Sequence, residues 1–431
     1  MNTFYHGDCL FVLKHDVEPE SVDLIYLDPP FFTGKVQKGK WRPEAMEVSY
    51  EDSKQFWSEK ADMMREKAPF WLRHIALERP DFASYLYYMM ERLKACKNVL
   101  RKTGTIYLHC DYRASHYLKM AMDEIFGYGS FRNEIIWCYT APTNLRADFP
   151  RKHDTIFRYT KGDKWTFNWK DISVPYSDET VARTHRGAGL QGLYGTKSPE
   201  EKHKQRLKPS GKIPEDWWIT IPRLQGNSIE KVGYPTQKPE LLLERIIRVS
   251  SNEGDLVLDP FCGCGTAAIV ASRWNRRFIG IDIDTSPRSA GKLPTAFTVI
   301  KNRGHELFEQ ARYITRDLSE VLEMDGRAFE AWVNEFYKAT KPQPDRGVDG
   351  ITQDGIPIQS KAYVIKYDKL SQFVNDAKYH SLVPKPLKKV IAVSQKGFDD
   401  SAKKLQFQVQ TREAIEVQLV TPKQMLDLGN L

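Results

Sequence analysis

Cysteine is scarce in this chain: six cysteines occur in 431 residues, and none follows Cys264. So few cysteines exclude the disulfide framework that stabilises small secreted domains. The one close pair, Cys262 and Cys264, lies among glycines, which fits neither a redox motif nor a zinc knuckle. No apolar run reaches the roughly 18 residues of a transmembrane helix, and the first residues, MNTFYHGDCL, lack the layout of a signal peptide. We therefore expect a cytoplasmic protein that has no membrane partner.

Strong compositional bias is also missing. Apolar residues make up 41% and charged residues 28% of the chain, which excludes a disordered tail or a fibrous repeat. At roughly 100–200 residues per domain, the length predicts two to four folded units. A net charge of +8 suits a polyanionic partner without identifying one.

Alternating short apolar runs and helical repeats predict an α/β fold. Strands are predicted at 22–27, 105–109, 256–258 and 278–281, and helices at 82–100, 117–126, 241–249 and 267–273. A further α/β unit begins near Leu318. Between them, residues 141–215 carry 15 Lys and Arg against 9 Asp and Glu. This stretch is predicted to be a loop-rich insertion with a basic face, or, as the plainer alternative, a solvated surface insertion.

The segment LVLDPFCGCGT at 256–266 predicts a strand, a tight glycine turn and the start of a helix. Glycines let a ligand approach the backbone closely, and the amides at a helix start favour a carboxylate. Asp282, at the end of the next predicted strand, is spaced to accept hydrogen bonds from both hydroxyls of a ribose. Asp259 would repel a pyrophosphate and attract an α-ammonium group, so S-adenosylmethionine fits better than a dinucleotide. A glycine turn that binds no ligand is the alternative.

The DPPF segment follows the predicted strand 22–27, at the edge where open α/β sheets bind ligands. The Asp28 side chain and the Pro29 carbonyl offer two acceptors, and Phe31 offers a flat apolar face. These groups suit the exocyclic amine of a nucleobase, because holding its N–H bonds would localise the lone pair toward an electrophile. A base inside a duplex must be flipped out to reach them. A rigid turn without chemistry is the alternative.

Three motifs in this order resemble the beta-class DNA amino-methyltransferases: LDPPF at 27–31, YPTQKPELLLERII at 234–247 and LDPFCGCGT at 258–266. HGDCL at 6–10, IYLHCD at 106–111 and WW at 217–218 add to the likeness, which covers residues 1 to about 285. The resemblance implies a Rossmann-like, S-adenosylmethionine-dependent methyltransferase fold with a circularly permuted motif order. It also implies methylation of adenine N6 or cytosine N4 in double-stranded DNA. Members with Asp first in the motif modify adenine more often, and Phe31 replaces the more usual Tyr.

The resemblance assigns residues and boundaries as well. The implied catalytic motif comprises Asp28, Pro29, Pro30 and Phe31. The implied cofactor-binding set is Asp8, Thr236, Lys238, Asp259, Phe261, Gly263, Gly265, Thr266 and Asp282. The implied parts are a catalytic part at 1–138, a target-recognition insertion at 139–230 and a cofactor-binding part at 231–310.

In the C-terminal unit, Asp349 precedes a predicted strand that carries Gln359 and Lys361 on one face and Ser360 on the other. Asp349 beside that face would make a Mg²⁺ site, and Lys361 would act on an attacking water. A turn followed by an amphipathic strand is the alternative.

The same unit resembles the Mrr-like branch of the restriction-endonuclease fold, in which Gln commonly replaces the Glu of the PD-(D/E)xK pattern. The likeness rests on FEAWV at 329–333, RGVDG at 346–350, PIQSK at 357–361 and VSQKGFDDSA at 393–402. It implies an α/β endonuclease-like domain at 320–431 with Mg²⁺ on Asp349 and nuclease residues Glu330, Asp349, Gln359 and Lys361. Both resemblances together imply a restriction–modification enzyme. An orphan or regulatory methyltransferase whose nuclease-like domain only binds DNA is the alternative, and a monomer and a homodimer both stay open.

Overall fold

The computed structural model describes residues 2–35, 37–41, 46–50, 52, 54–59, 68–140, 142–177, 211–225, 228–283, 293, 295–342 and 347–427. The chain divides into two compact units. The first comprises residues 1–5, 16–288 and 293–313, and the second comprises residues 6–15, 289–292 and 314–431.

A nine-stranded sheet has the order β11-β1-β10-β9-β2-β5-β7-β6-β8. Its strands are β1 (Thr3–His6), β2 (Val22–Leu27), β5 (Leu100–Cys110), β6 (Phe131–Cys138), β7 (His153–Thr160), β8 (Trp217–Trp218), β9 (Leu256–Asp259), β10 (Arg277–Asp282) and β11 (Arg312–Thr315); β3 (Gln37–Trp41) and β4 (Met46–Tyr50) form a separate antiparallel pair. The central neighbours β10, β9, β2 and β5 run parallel, and β7 is antiparallel to both β5 and β6. Strand β2 is buried along most of its length and ends where Pro29 and Pro30 remove two backbone donors.

Helices of the first unit flank these strands. They are α2 (Lys54–Glu59), α3 (Phe70–Glu78), α4 (Pro80–Val99), α5 (Ser115–Phe126), α6 (Glu240–Ser250), α7 (Thr266–Arg273), α8 (Thr295–Arg303) and α9 (His305–Gln310). Helix α4 begins at a proline, which suits the first helical position, and buries Phe82, Leu86, Met89 and Leu93 at helical spacing. Helix α7 begins after Gly265, which has a left-handed backbone with φ +73°.

The predicted strands and helices named above are confirmed to within a few residues. The stretch 141–215, predicted to be a loop-rich insertion, contributes strand β7 to the nine-stranded sheet. The bounds 139–230 of the target-recognition part stay a prediction. Charged residues in and around β7 interrupt the apolar run that would have predicted this buried strand from the sequence. Residues 178–210 lie outside the described residues, and with them the basic side chains Arg183, Arg186, Lys202, Lys204, Arg206 and Lys208.

The second unit contains a four-stranded sheet of order β12-β13-β14-β15. Its strands are β12 (Gly350–Ile351), β13 (Pro357–Lys361), β14 (Lys389–Ser394) and β15 (Glu416–Val420), and its helices are α1 (Cys9–His15), α10 (Leu318–Glu323), α11 (Gly326–Phe336), α12 (Tyr367–Tyr379), α13 (Asp400–Glu413) and α14 (Pro422–Asp427). Strands β13, β14 and β15 run parallel. Helix α11 is capped by Asp325, whose carboxylate accepts hydrogen bonds from the amides of Arg327 and Ala328.

Each unit has its own apolar core. One cluster in the first unit packs helices against the parallel strands and includes Phe4, Tyr26, Ile246 and Phe297. In the second unit, the described residues form a cluster around Phe373 and another around Phe329. Among the described residues, no helix combines the length and the apolar character that a bilayer span requires.

Candidate active site

A buried ion pair joins two segments of the first unit that are far apart in the sequence. The Nζ of Lys238 lies 2.5 Å from Oδ2 of Asp28, and the two side chains are only 10% and 15% exposed. Lys238 also donates to the Thr236 carbonyl at 3.4 Å. Within the described part of the chain, the other Asp28 oxygen, Oδ1, is buried and has no hydrogen-bond partner. One carboxylate oxygen is therefore held by a cation, whereas the other has no donor among the residues that the structure describes.

Phe31 lies beside this pair. The Lys238 ammonium is 5.0 Å from the centroid of the Phe31 ring, and the His109 ring is 5.6 Å away on a tilted plane. The turn that carries Phe31 is supported from α4, because the Tyr85 hydroxyl donates to the Pro30 carbonyl at 2.8 Å. The flat ring is thus fixed next to the carboxylate by contacts on both sides.

A chain of four polar side chains runs behind Phe31. The Tyr26 hydroxyl lies 2.8 Å from Nδ1 of His109, and Nε2 of His109 lies 3.2 Å from Oδ2 of Asp154. The Tyr139 hydroxyl donates to the other Asp154 oxygen at 3.1 Å. His109 is fully buried, and the Trp137 ring packs edge-on against it at 5.7 Å. These contacts fix the His109 ring against Phe31.

Electrostatics within this chain of side chains favour a charged Asp154. Burial raises the pKa of Asp154, but the hydrogen bond and charge of His109, the charge of Lys238 and the Tyr139 hydroxyl outweigh burial and lower that pKa below its usual value. Burial and the neighbouring Asp28, Asp259 and Asp154 raise the pKa of Tyr26 well above its usual value. Tyr26 therefore stays a neutral hydrogen-bonding group.

The glycine turn after β9 presents backbone amides around Asp282. The Gly263 amide donates to Oδ2 of Asp282 at 2.7 Å, and the Phe261 amide donates to Asp259 at 3.0 Å. Gly263 has φ +48°, and a Cβ there would lie 3.0 Å from the Tyr234 ring. Both the backbone angle and the close approach require glycine at this position.

The end of this turn is tied to two helices. Arg303 donates to the Cys264 carbonyl at 2.8 Å and to the Thr266 hydroxyl at 3.2 Å, and its other nitrogen donates to Glu240 at 3.1 Å. Thr266 is buried, and its hydroxyl is engaged in this contact. Thr266 therefore fixes the start of α7.

Asp259 is buried among other carboxylates. Burial raises its pKa well above the usual value, Asp28 and Asp282 raise it further, and the Phe261 amide and Lys238 oppose them. These charges show that the ends of β2, β9 and β10 meet. The charges that act on the buried Asp259 are those of two carboxylates, Asp28 and Asp282, and one lysine, Lys238. This excess of negative charge favours a cationic ligand. The α-ammonium and sulfonium groups of S-adenosylmethionine fit that demand.

The structure brings together most of the residues predicted for this site. Asp28, Phe31, Lys238, Asp259 and Asp282 interact with one another directly or through charge. Thr236 adopts a left-handed backbone with φ +64° and contributes its carbonyl to Lys238. Asp8 belongs to the second unit, where its carboxylate accepts a hydrogen bond from the Leu10 amide at 2.7 Å, so its part in cofactor binding stays a prediction.

Sequence reasoning missed His109 and Asp154. His109 lies near the end of β5, the parallel neighbour of β2 in which Leu27 pairs with Leu108. Parallel strands end at the same edge of a sheet, so the position of His109 beside the DPPF turn was available from the IYLHCD segment. Asp154 has no such signal, because its stretch is predicted to be a loop-rich insertion with a basic face, whereas it lies on β7, which pairs with β5.

The second unit has a compact polar cluster around Asp349. The Nζ of Lys361 lies 3.0 Å from Oδ2 of Asp349, and the Ser360 amide donates to the same oxygen at 2.8 Å. The Ser360 hydroxyl also lies 3.4 Å from that oxygen, and the opposite facing of Ser360 relative to Gln359 and Lys361 stays a prediction.

A Mg²⁺ ion is partly accommodated by this cluster. Gln359 donates to the Gly347 carbonyl at 3.2 Å, while its Oε1 is buried without a partner among the described residues. Glu330 pairs instead with Lys341 at 2.5 Å. One carboxylate and one unused amide oxygen suit a hard cation that keeps several waters. No group of three or more His, Cys, Asp or Glu suited to a metal occurs in the described part of the chain.

Comparison with known proteins identifies relatives of the first unit. The family described as DNA methylase matches residues 22–289. Type II methyltransferase M.HpaI of Haemophilus parainfluenzae is 34% identical over 47% of this chain and 57% of its own length. DNA adenine methyltransferase YhdJ of Escherichia coli K12 is 28% identical over 66% of this chain and 79% of its own length.

Among solved structures, a DNA modification methylase from Thermus thermophilus, complexed with S-adenosyl-L-methionine, is similar over 73% of this chain and 98% of its own, with 18% identity and a TM-score of 0.42. At that identity and score, the likeness adds no argument to the family match.

Proposed function

Because the chain belongs to the DNA methylase family, with a match that covers residues 22–289, we propose that it methylates the exocyclic amine of a base extruded from double-stranded DNA. S-adenosylmethionine would supply an electrophilic methyl group when bound. The observation that carries the proposal is the buried Oδ1 of Asp28, which has no partner in the described residues and lies on a carboxylate whose other oxygen is held by Lys238.

Asp28 and Phe31 would handle the base. Oδ1 of Asp28 accepts an N–H of the amine, and the Pro29 carbonyl is proposed as the second acceptor. Phe31 stacks on the ring, with His109 behind it at 5.6 Å. With both N–H bonds held by acceptors, the nitrogen lone pair is directed toward the side from which an electrophilic methyl group would be offered. One amine proton must leave as the nitrogen is methylated, and Oδ1 of Asp28, which holds that N–H, would accept it. Lys238 holds Oδ2 of Asp28 and thereby orients the carboxylate.

The glycine turn would hold the cofactor. Asp259 pairs with its α-ammonium group, Asp282 accepts from the ribose hydroxyls, and Gly263, Gly265 and Phe261 allow its close approach. This assignment is supported by the cluster of carboxylates around Asp259, which favours a cationic ligand. Thr236 and Thr266 are proposed as further contributors to cofactor binding.

Adenine N6 is the proposed target, with cytosine N4 as its competitor. The support is Asp28 at the first motif position and the similarity to a DNA adenine methyltransferase over 66% of this chain. Single-molecule sequencing of DNA from cells that express the protein would identify the modified base and the recognition sequence together. Modified cytosine and unmodified adenine would refute the choice of adenine.

The Asp28→Ala variant tests the base pocket. We expect methyl transfer to DNA to be lost while the affinity for S-adenosylmethionine, measured by calorimetry, stays within about threefold, a difference under 1 kcal/mol. Asp163→Ala, at an exposed position of the same unit, serves as the matched control and should behave as wild type. Full methyl transfer by Asp28→Ala would remove the assignment.

A Mg²⁺-dependent nuclease in the second unit is a second candidate function, which would make the chain a restriction–modification enzyme. It is favoured by the contact of Lys361 with Asp349 at 3.0 Å and by the unused Oε1 of Gln359. Asp349 and Gln359 would hold the ion, which would supply Lewis-acid stabilisation, and Lys361 would orient the attacking water. Lys361→Ala should then abolish Mg²⁺-dependent cutting of unmethylated DNA. If the wild type cuts no substrate in any methylation state, the domain only binds DNA.

A further inference from the structure

The connection between β6 and β7, residues 139–152, is long for a hairpin. Its base is closed by strand pairing of Cys138 with His153 and by a hydrogen bond from the Tyr139 amide to the Lys152 carbonyl at 2.9 Å. Hairpin connections are usually short, and long connections without secondary structure of their own are usually functional. The methyltransfer chemistry described above uses none of its exposed residues.

Two large apolar side chains project from this connection. Phe149 is 96% exposed and Leu145 is 55% exposed, so neither contributes much to the core. Pro150 follows Phe149 and restricts the backbone there. Single exposed apolar residues are ordinary on protein surfaces. Two on one connection, beside a cleft, indicate a contact surface.

The cleft below these side chains reaches the candidate active site. It has a volume of about 350 Å³ and lies between residues 111–113 and residues 145–154, with Tyr139 in its wall. Asp154 also lines it, and Asp154 is the residue that bonds to His109 behind Phe31. The connection 139–152 therefore borders the side chains that support the proposed base pocket.

Charge on the connection suits a nucleic acid strand. Its cations Arg146, Arg151 and Lys152 outnumber the single carboxylate Asp148. The Arg151 guanidinium lies 4.4 Å from the centroid of the Tyr112 ring and donates to its hydroxyl at 3.0 Å, which ties the connection to the opposite wall of the cleft. Cations around exposed aromatic side chains are typical of surfaces that contact both phosphates and bases.

We propose that the connection 139–152 enters the DNA duplex at the extruded base, and that Phe149 fills the gap this base leaves in the stack. The inference rests on the proposed function and assigns it a positioning residue. Extruding a base unstacks its neighbours, and an apolar side chain inserted between base steps offsets that loss. Arg146 and Lys152 then lie against the phosphates on either side.

The test compares two DNA duplexes that carry the recognition sequence, one with the target base paired and one with it mispaired. Unpairing costs a few kcal/mol, so Phe149→Ala should lower the single-turnover methylation rate about 10- to 100-fold on the paired duplex. On the mispaired duplex, where extrusion is already easy, the loss should be about threefold or less. Phe149→Leu should retain most of the rate on both.

Phe70→Ala is the matched control, because Phe70 is 79% exposed on α3 and does not line the cleft. It should match the wild type on both duplexes. A Phe149→Ala variant that matches the wild type on paired DNA, or that loses the same factor on both duplexes, would overturn the inference and leave the proposed function standing. A wild type that methylates neither duplex would overturn the proposed function and the inference with it.

Discussion

Replacing Lys238 by Met should disable methyl transfer without unfolding the protein. The substitution keeps the length of the side chain and removes the ammonium group, which lies 2.5 Å from Asp28 and 5.0 Å from the Phe31 centroid. A hydrogen bond to a charged group contributes about 1.5–3 kcal/mol. If that free energy is lost from the transition state, kcat/KM falls roughly 10- to 150-fold.

The same change should also lower global stability. Removing one partner of a buried ion pair leaves the other charge buried and unpaired, which lowers the free energy of unfolding by about 3–5 kcal/mol. The Lys238 and Asp28 side chains are still 10% and 15% exposed. We therefore expect the free energy of unfolding to fall by about 3 kcal/mol, the low end of that range. Urea unfolding measures this loss, and tritiated-methyl transfer to DNA measures the rate.

Lys301→Met is the matched control. Its ammonium pairs with Glu309 at 2.9 Å, but these side chains are 39% and 53% exposed. An exposed pair contributes at most about 1 kcal/mol, so this variant should keep full activity. Lys238→Met with a rate within about threefold of wild type would refute the reasoning, since that difference is under 1 kcal/mol.

Three further predictions concern the same unit. Asp259→Asn should raise the stability of the ligand-free protein at neutral pH and abolish S-adenosylmethionine binding. The pKa of Asp259 is raised in the folded state. Its ionised side chain therefore destabilises the fold increasingly as the pH rises above the unfolded-state pKa of about 3.9. Thermal melts at pH 5 and pH 8 with and without ligand check this, and an unchanged pH dependence would contradict it. Asp154→Asn should make the free energy of unfolding less dependent on pH in the acid range. The lowered pKa of Asp154 contributes stability that is present above about pH 3.9 and is lost as the pH falls through the folded-state pKa. Urea unfolding as a function of pH measures this dependence. Gly263→Ala should weaken S-adenosylmethionine binding, whereas Gly254→Ala should not. Both glycines have left-handed backbones, in which a side chain costs about 1–2 kcal/mol. An added Cβ would lie 3.0 Å from the Tyr234 ring at Gly263 but would contact nothing within 4 Å at Gly254. Equal affinities of the two variants, measured by calorimetry, would rule out the close approach as the cause.

The sequence was most informative where a strand ends at a motif. Strands β2 and β9 are short apolar runs closed by prolines and glycines, so their ends, and with them Asp28 and Asp259, could be located from local chemistry. Strand alternation likewise located Gln359 and Lys361 on β13. These features depend on neighbouring residues along the chain.

Contacts between distant segments were harder to predict. The pairing of Lys238 with Asp28 joins residues more than 200 positions apart, and only the family resemblance indicated that they meet. Strand β7 was missed because its polar and charged residues, such as His153, Asp154 and Arg158, hide a buried face. Asp154 reaches the site through antiparallel pairing with β5, and no local pattern indicates that partner.

Adjacent placement of β2 and β9 has an evolutionary consequence. Leu24 pairs with Val257, and Ile25 pairs with Leu258. The proposed base-binding turn after β2 and the proposed cofactor-binding turn after β9 would therefore be held by backbone hydrogen bonds between neighbouring strands, whose spacing of about 4.8 Å does not depend on side-chain identity. Mutations in surface loops can therefore accumulate without changing how acceptor and donor are aligned. Under the proposed function, exchange of outer segments would leave the relative position of Asp28 and Asp259 unchanged.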